Sequence, residues 1–277
     1  MPKGVCISIG LNSVDASHYG GWEGRLNGCE NDATDMSRSL AEMGYEVKLL
    51  LTQQASALAV LTELTAAALT LMPGDILVLY YSGHGGQLGD VNVDEVDQLD
   101  ETWCLYDRML IDDELFIMWA KFKAGVRIVV LSDSCHSGTV IKEAFYKNAV
   151  TASMELSATA PISSKGAPFD TVWSTYQASK PYYDTLQLLS GLLDDSKIEA
   201  GVVLISGCQD NQLSLDGSPN SVFTAAVKQM WSDIKAVRSY RELQQKIGAK
   251  MPPMQSPNYL AIGSGASSFE HQIPFVI

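Results

Sequence analysis

Six short apolar runs, each separated from the next by a longer segment, constrain the fold of this chain more than any other feature. The runs are rich in Val, Ile and Leu and do not alternate with polar residues, which is typical of strands buried on both faces of a parallel sheet. They occupy residues 5–11, 46–51, 75–81, 127–131, 202–206 and 259–262. Their alternation with helical segments predicts an α/β fold built on a doubly wound sheet.

Helical periodicity is clear in most of the intervening segments and is lost in one of them. The predicted helices span about 31–43, 55–71, 112–122, 137–147, 219–232 and 238–249. Residues 148–200 are instead rich in Ser, Thr, Ala and Pro, which predicts a surface insertion between the fourth and fifth strands. The chain has no internal repeat and no clear linker, so we expect a single domain over residues 1–277.

Charge and cysteine usage narrow the classes of function. The net charge is −13, and an acidic surface repels nucleic acid and anionic membranes, so we expect neither as a partner. The same negative charge favours the binding of basic ligands. The five cysteines form no CxxC pair, which indicates reduced thiols rather than a zinc site. No apolar run is long enough for a signal peptide or a membrane span, so we expect a cytoplasmic protein.

The residues that can carry chemistry follow the ends of the third and fourth predicted strands. His84 follows the third strand and Cys135 the fourth. Ligands of open α/β sheets bind outside the carboxyl ends of the strands, so neighbouring strands would bring both side chains to one crevice. A thiol needs a base or a positive neighbour to become a thiolate, and His84 can supply that base and later protonate a leaving amine. The pair predicts acyl transfer to a cysteine.

Backbone amides at the same strand ends can stabilise the negative charge that such a reaction develops. The N–H groups of Gly85 and Cys135 are the candidates for an oxyanion hole. His136 is adjacent to Cys135, and neighbouring side chains diverge, so we expect it to be structural. A structural interpretation of His84 and Cys135, as a glycine-rich turn beside a buried thiol, stays open from the residues alone. A nucleotide-binding domain is disfavoured, because residues 8–21 contain neither GxGxxG nor a P-loop lysine.

Four sequence blocks, in order along the chain, resemble the caspase-like cysteine proteases, most closely the metacaspases and bacterial orthocaspases. The blocks are LNGCENDA (26–33), YSGHGG (81–86), DSCHSG (133–138) and ISGCQDNQ (205–212). The resemblance implies the caspase-hemoglobinase fold, a three-layer α/β/α sandwich whose six-stranded sheet is parallel except for its last strand. It also implies an endopeptidase with His84 as base and Cys135 as nucleophile. An alternative is a weak or inactive homologue that acts as a regulatory binding module, although both residues are present.

Cleavage after Arg or Lys is also implied by the resemblance, at a pocket formed by Asp32 and Asp133 with Ser82 beside them. Two carboxylates can pair bidentately with a guanidinium group or more loosely with an ammonium group. Asp210 is a weaker candidate for the pocket wall. Asp32 has an alternative role as a helix N-cap, and Asp133 as a brace for the active-site loop. The paired acids speak against the Asn-preferring pocket of legumain-like relatives.

Calcium is a further implication of the resemblance, since many metacaspases bind this ion through four aspartates. Three match Asp100, Asp112 and Asp113, but Lys142 stands where the fourth is expected and places positive charge at the site. We therefore expect no required cofactor. The acidic run 90–101 is not an EF-hand, because Glu95 stands where that loop needs glycine.

Self-processing in the loop after the nucleophile is common among such relatives. No arginine lies between Arg127 and Arg238, so processing there would follow a lysine, and Lys147 and Lys165 are the better candidates. The expected partners are protein or peptide substrates with basic residues at the cleavage site. The resemblance implies a monomer, since the caspase-like dimer is not usual among metacaspases.

Overall fold

The computed structural model describes residues 1–89, 99–135, 163–190, 197–209 and 212–277. Its main sheet has six strands in the order β2-β1-β3-β7-β8-β9. All neighbours in this sheet are parallel except the pair β8 and β9, which is antiparallel. The strands are β1 Gly4–Gly10, β2 Glu46–Leu51, β3 Ile76–Ser82, β7 Arg127–Asp133, β8 Gly201–Ser206 and β9 Asn258–Ile262. The predicted strands and the single antiparallel pairing are confirmed.

A second, antiparallel sheet of three strands follows directly from the end of β3 and was not predicted. Its strands are β4 Gly85–Gly89, β5 Leu99–Cys104 and β6 Met109–Ile111. The first of these has the sequence GGQLG, which carries little β-propensity, and its pairing with β5 supplies the order that the residues themselves do not.

Helices pack on both faces of the main sheet, and two further helices pack against the small sheet. They are α1 Cys29–Glu42, α2 Ala57–Thr70, α3 Asp112–Trp119, α4 Phe169–Ala178, α5 Lys180–Ser190, α6 Val222–Trp231, α7 Tyr240–Gly248 and α8 Ala266–Phe269. Serine N-caps begin three of them: Ser56, Ser221 and Ser239 each accept a hydrogen bond from the backbone amide three residues later. The predicted helix at 137–147 lies outside the described residues.

Two apolar cores flank the sheet and fix the three-layer architecture. One core packs α2 and α3 side chains such as Leu64 and Met118 against Leu79 of β3. The other packs Leu40 of α1 and Phe223 of α6 on the opposite face. The α/β/α sandwich that the sequence predicts is therefore confirmed.

Strand register places the carboxyl ends of three neighbouring strands side by side. Gly10 of β1 pairs with Ser82 of β3, which in turn pairs with Asp133 of β7. A Cβ at Gly10 would overlap the carbonyl oxygen of Cys29, so the missing side chain lets the start of α1 approach this edge. The polar groups at the ends of β1, β3 and β7 therefore share one crevice with the first turn of α1.

The segment 163–190 is more than an external loop. Its helices α4 and α5 bury Val172, Tyr176 and Tyr183 in a third apolar cluster with residues of the small sheet, including Leu88. The first residues of this segment cross the crevice at the strand ends, as described below. No helix among the described ranges combines the length and the apolar composition that crossing a bilayer requires.

Candidate active site

An acidic pocket lies at the ends of β3 and β7. We use this name for Asp32, Ser82 and Asp133, all of them buried. Ser82 Oγ donates to Asp32 Oδ2 at 2.8 Å. Asp32 sits in the first turn of α1, whose N-cap is Gly28, and its side chain points into this pocket rather than capping the helix. The structure thus brings together the three residues that the resemblance implied for substrate binding.

Lys165 fills the acidic pocket with its own side chain, which is fully buried. The Lys165 ammonium lies 2.8 Å from Ser82 Oγ, 3.0 Å from Asp133 Oδ2 and 3.3 Å from Asp32 Oδ2. An ammonium has three N–H donors and here meets three oxygen atoms. The pocket therefore satisfies a lysine side chain from within the same chain.

Electrostatics in the acidic pocket require a cation. Burial raises the pKa of Asp32, and repulsion by Asp133 adds to this, while Lys165 opposes both. Burial lowers the pKa of Lys165, but attraction to Asp133 and Asp32 outweighs it, so the pKa lies well above its usual range. Two buried carboxylates without a partner ion would pay a desolvation penalty of several kcal/mol each. In this structure the Lys165 ammonium supplies that cation.

Hydroxyl groups from the segment after β8 hold Asp133 in place. Ser214 Oγ donates to Asp133 Oδ1 at 2.6 Å, and Thr224 Oγ1 donates to Asp133 Oδ2 at 2.9 Å. Ser221 Oγ donates to the same Oδ2 atom. The backbone amide of Ser221 also donates to Asp32 Oδ1 at 3.0 Å, so one residue links both acids. Sequence reasoning missed these residues because single serines and threonines carry no spacing signal.

Residues 163–167, which we call the strap, lie across the acidic pocket. Lys165 N donates to Ser214 O at 3.0 Å, and the Lys165 carbonyl accepts from Gly85 N at 2.9 Å. Ala167 N then donates to Gly85 O at 2.7 Å. The strap is thus held by backbone hydrogen bonds while its lysine side chain occupies the pocket.

Gly85 can pair with the strap only because it has no side chain. A Cβ at this position would overlap the carbonyl oxygen of Cys135. The predicted oxyanion donor at Gly85 is therefore directed at a carbonyl, that of Lys165.

Cys135 lies two residues beyond β7 and is fully buried. Its Sγ accepts from Ser214 N at 2.6 Å and lies 3.1 Å from Ser214 O. It also lies 3.8 Å from Ser164 Oγ, one residue before Lys165. The thiol thus borders the strap, on the side that precedes the Lys165–Gly166 bond.

His84 connects β3 to β4 and lies near the backbone carbonyls of Lys165 and Gly166 in the strap. Burial lowers its pKa to about 4, although the nearby carbonyls of Gly24, Lys165 and Gly166 act in the opposite direction. Neither ring nitrogen has a hydrogen-bond partner in the described part of the chain. The Trp22 ring packs against the imidazole with centroids 4.7 Å apart. At neutral pH the imidazole is therefore neutral.

Four residues named in the sequence analysis lie outside the described residues: His136, Lys142, Lys147 and Asp210. All five cysteines are free thiols, as the composition predicted.

The acids implied for calcium stand elsewhere in the fold. Asp112 and Asp113 begin α3, where carboxylates favour the helix dipole, and Asp100 accepts a hydrogen bond from Gln187. Across the ranges that the structure describes, no three His, Cys, Asp or Glu side chains come together as a metal site. We therefore derive no step of the reaction through a metal ion.

The Cys135 thiol and the His84 imidazole thus both lie near the strap, whose Lys165 side chain is held in the acidic pocket. These groups are those of thiol acyl transfer. Sequence reasoning named Lys165 as a cleavage candidate but did not place it in the pocket. The available signal was its context, Ser-Ser-Lys-Gly-Ala, in which small residues flank the lysine.

Comparison with known proteins gives a consistent picture. A family model described as "Caspase domain" matches residues 3–274. Metacaspase-1 of Schizosaccharomyces pombe is 30% identical over 264 residues, which cover 84% of this chain and 60% of that protein. Metacaspase-1 of Kluyveromyces lactis is 27% identical over 277 residues, covering 88% of this chain and 62% of that protein. The chain thus spans less than two thirds of the length of these curated relatives.

A solved structure matches over the whole chain. The crystal structure of a protein from Geobacter sulfurreducens superposes with a TM-score of 0.86 at 44% sequence identity. The match covers 100% of this chain and 99% of that one.

Proposed function

Since this chain belongs to the caspase-domain family of cysteine peptidases, we propose that it is an endopeptidase that cleaves after lysine or arginine. We propose Cys135 as its nucleophile and His84 as its base. The observation that carries the proposal is the Lys165 ammonium between Asp32 and Asp133, on the residue whose carbonyl accepts from Gly85 N.

The proposed reaction begins with proton transfer from the Cys135 thiol to the neutral His84 imidazole. Before attack, Sγ turns from the Ser214 backbone toward the carbonyl carbon that precedes the scissile bond. Attack forms a C–S bond and an oxyanion, which the N–H groups of Gly85 and Cys135 stabilise. Collapse breaks the C–N bond, and His84 gives its proton to the departing amine. Water then hydrolyses the thioester and releases the carboxylate product.

Selectivity for basic residues follows from the charge of the acidic pocket. An ammonium or guanidinium group offsets its two carboxylates, whereas an Asp side chain would add a third negative charge at close range. We expect Lys and Arg substrates to be cleaved and Asp and Asn substrates to be rejected.

Self-processing at the Lys165–Gly166 bond is part of the same proposal. The strap already occupies the acidic pocket, and its Lys165 carbonyl already accepts from Gly85 N. While the strap stays there, an external peptide cannot enter the pocket, so activity toward other substrates requires the strap to leave. Lys147, the other candidate, lies outside the described residues.

A panel of fluorogenic peptides that end in Arg, Lys, Asp or Asn tests the proposal. Each is assayed with the wild-type chain, with Cys135→Ala and with His84→Ala, in calcium and in chelator. We expect hydrolysis of the Arg and Lys peptides alone, its loss in both variants, and no requirement for calcium. Preference for the Asp peptide would refute the pocket assignment, and strict calcium dependence would refute the proposal that no cofactor is needed.

A second candidate function is that of a regulatory binding module without turnover. It is favoured by one observation, namely that the Cys135 thiol faces Ser214 while Lys165 fills the pocket. The same panel separates the two, because a binding module would hydrolyse none of the peptides and would not cleave its own strap.

A further inference from the structure

The strap gives the register in which a peptide crosses the active site. Ser163 is the third residue before the Lys165–Gly166 bond, and its carbonyl accepts from Asp216 N at 2.8 Å. Ser164 forms an antiparallel bridge with Leu215. The third residue before the scissile bond therefore runs alongside Asp216.

Asp216 presents its carboxylate to this third position. Its Oδ2 lies 3.4 Å from Ser163 Oγ, which donates to it. The Asp216 side chain is only 1% exposed, and it shares none of its hydrogen bonds with the acidic pocket. A buried carboxylate beside one specific residue of the peptide can discriminate among side chains there.

Two backbone amides fix this carboxylate in position. Asn27 N donates to Asp216 Oδ2 at 2.7 Å, and Gly28 N donates to Oδ1 at 3.1 Å. A Cβ at Gly28 would lie 3.0 Å from Asp216 Oδ1 and would overlap the carbonyl oxygen of Gly217, so the loop before α1 closes onto Asp216 only with glycine here. The carboxylate is thus held rigidly, with an oxygen left to meet the peptide.

We propose that Asp216 is a specificity-determining residue, which favours a hydrogen-bond donor or a positive charge at the third residue before the scissile bond. Serine, threonine, lysine and arginine satisfy its carboxylate, alanine leaves it without that partner, and an acidic residue is repelled. This inference rests on the proposed function, because it uses the register of the strap as that of a substrate. Asp210, the weaker candidate for the pocket wall, lies outside the described residues, and Asp216 lies beside the strap.

The test uses peptides that share Ser-Lys before the reporter group and differ only in the preceding residue, which is Ser, Ala, Lys or Asp. The measured quantity is kcat/KM for the wild-type chain and for Asp216→Asn. For the wild type we expect Ser to exceed Ala by about threefold. We expect Asp to fall about tenfold below Ala. In Asp216→Asn the penalty for Asp is expected to shrink to about twofold, because the repelling charge is gone.

Ratios between peptides separate specificity from a structural role. If Asp216 only held the loop at Asn27 and Gly28, Asp216→Asn would lower kcat/KM for all four peptides by one factor. Asp233→Asn is the matched control, since it removes one exposed acid at the far end of α6. Its ratios should equal those of the wild type.

A change within the strap provides a second measurement that does not depend on the folding of Asp216→Asn. Ser163→Asp and Ser163→Ala are compared for the rate of self-cleavage, and we expect the Asp variant to be about tenfold slower. Equal rates in these two variants, or equal peptide ratios in wild type and Asp216→Asn, would overturn the role of Asp216 alone. Failure of the wild type to cleave any of the lysine peptides would instead overturn the proposed function.

Discussion

At the scale of the residue, the site is governed by the cost of burying charge. Asp32 and Asp133 are held in a fully buried pocket by hydroxyl and amide donors, and the Lys165 ammonium supplies the opposite charge. Breaking a buried ion pair by removing one partner is more costly than never forming it, since an uncompensated charge remains. Lys165 is therefore expected to matter for both stability and self-cleavage.

Replacement of Lys165 tests this double role. Lys165→Met is expected to abolish cleavage at this bond and to destabilise the fold by about 3–5 kcal/mol at neutral pH. Burial and Asp133 raise the pKa of Asp32, so the folded state binds protons more readily than the unfolded state. The variant should therefore be more stable at pH 5 than at pH 8, as measured by thermal unfolding. Lys165→Arg is the matched control and should keep self-cleavage; an unchanged unfolding temperature in Lys165→Met would contradict the argument.

The pKa of His84 predicts the pH dependence of self-cleavage. With the strap in place this pKa is about 4, chiefly because of burial. Below that value the imidazole is protonated and cannot accept the thiol proton, so the rate should fall with an apparent pKa near 4. For an external peptide the strap has left and burial decreases, so the acid limb should move toward the ordinary value of about 6.5. The rate of self-cleavage is measured on gels from pH 3.5 to 8, and the rate of hydrolysis of a fluorogenic lysine peptide is measured over the same range. Identical acid limbs for the two reactions would contradict the prediction.

At the scale of the element, the hairpin of α4 and α5 anchors the strap. Ala167 and Val172 are both buried in the cluster that joins this hairpin to the small sheet. Val172 packs directly over Gly86 of β4, where a Cβ would lie 2.8 Å from the Val172 Cγ2 atom. The half of the strap that follows Lys165 is thus tied to a packed element, and release of the strap depends on that packing.

Weaker packing of the hairpin is expected to speed the release of the strap. Val172→Ala removes two buried methyl groups, with an expected cost of about 2 kcal/mol in stability. The kcat/KM for external lysine peptides should rise, while the selectivity between lysine and aspartate peptides stays as in the wild type. Leu58→Ala, on the exposed face of α2, is a control that should change neither quantity. Lower activity in Val172→Ala would indicate that the hairpin builds the substrate site rather than blocking it.

At the scale of the whole molecule, the proposed cut leaves the sheet intact. β7 precedes Lys165 and β8 follows it, yet the two strands pair along their length in the middle of the sheet. Both apolar cores also draw on residues from both sides of the cut, such as Leu131 and Ile205 on one face. Cleavage of one loop bond should therefore leave the two fragments associated.

Gel filtration tests whether the two fragments stay associated after cleavage. Both the intact and the cleaved protein are expected to elute as one particle near 30.0 kDa, whereas a denaturing gel should show two fragments of the cleaved form. The Cys135→Ala variant should stay uncleaved, with one peak in gel filtration and one full-length band on the denaturing gel. Separation of the fragments under native conditions would contradict the prediction, and elution at twice the mass would contradict the monomer.

Much of the fold followed from the sequence because its signals are local. Buried strands are recognisable in the sequence as continuous apolar runs. Parallel topology then brings the residues after β3 and β7 to the same edge of the sheet, at the carboxyl ends of the strands. The six strands of the main sheet were predicted from these apolar runs, and the family was predicted from the resemblance of four sequence blocks. Both predictions are confirmed. The same rule predicted that His84 and Cys135 share one crevice, and the resemblance to the caspase-like proteases added Asp32 and Asp133.

The tertiary structure alone decided what fills that crevice. Lys165 contacts Asp32 although 133 positions separate them in the sequence, and no periodicity of the sequence predicts such a contact. The glycine-rich strand β4 and the hairpin of α4 and α5 are ordered by packing rather than by propensity, so composition suggested a loop. Whether a buried ion pair forms depends on the charges, the burial and the strand register in the folded chain. Burial and register are established only when distant segments of the chain pack together.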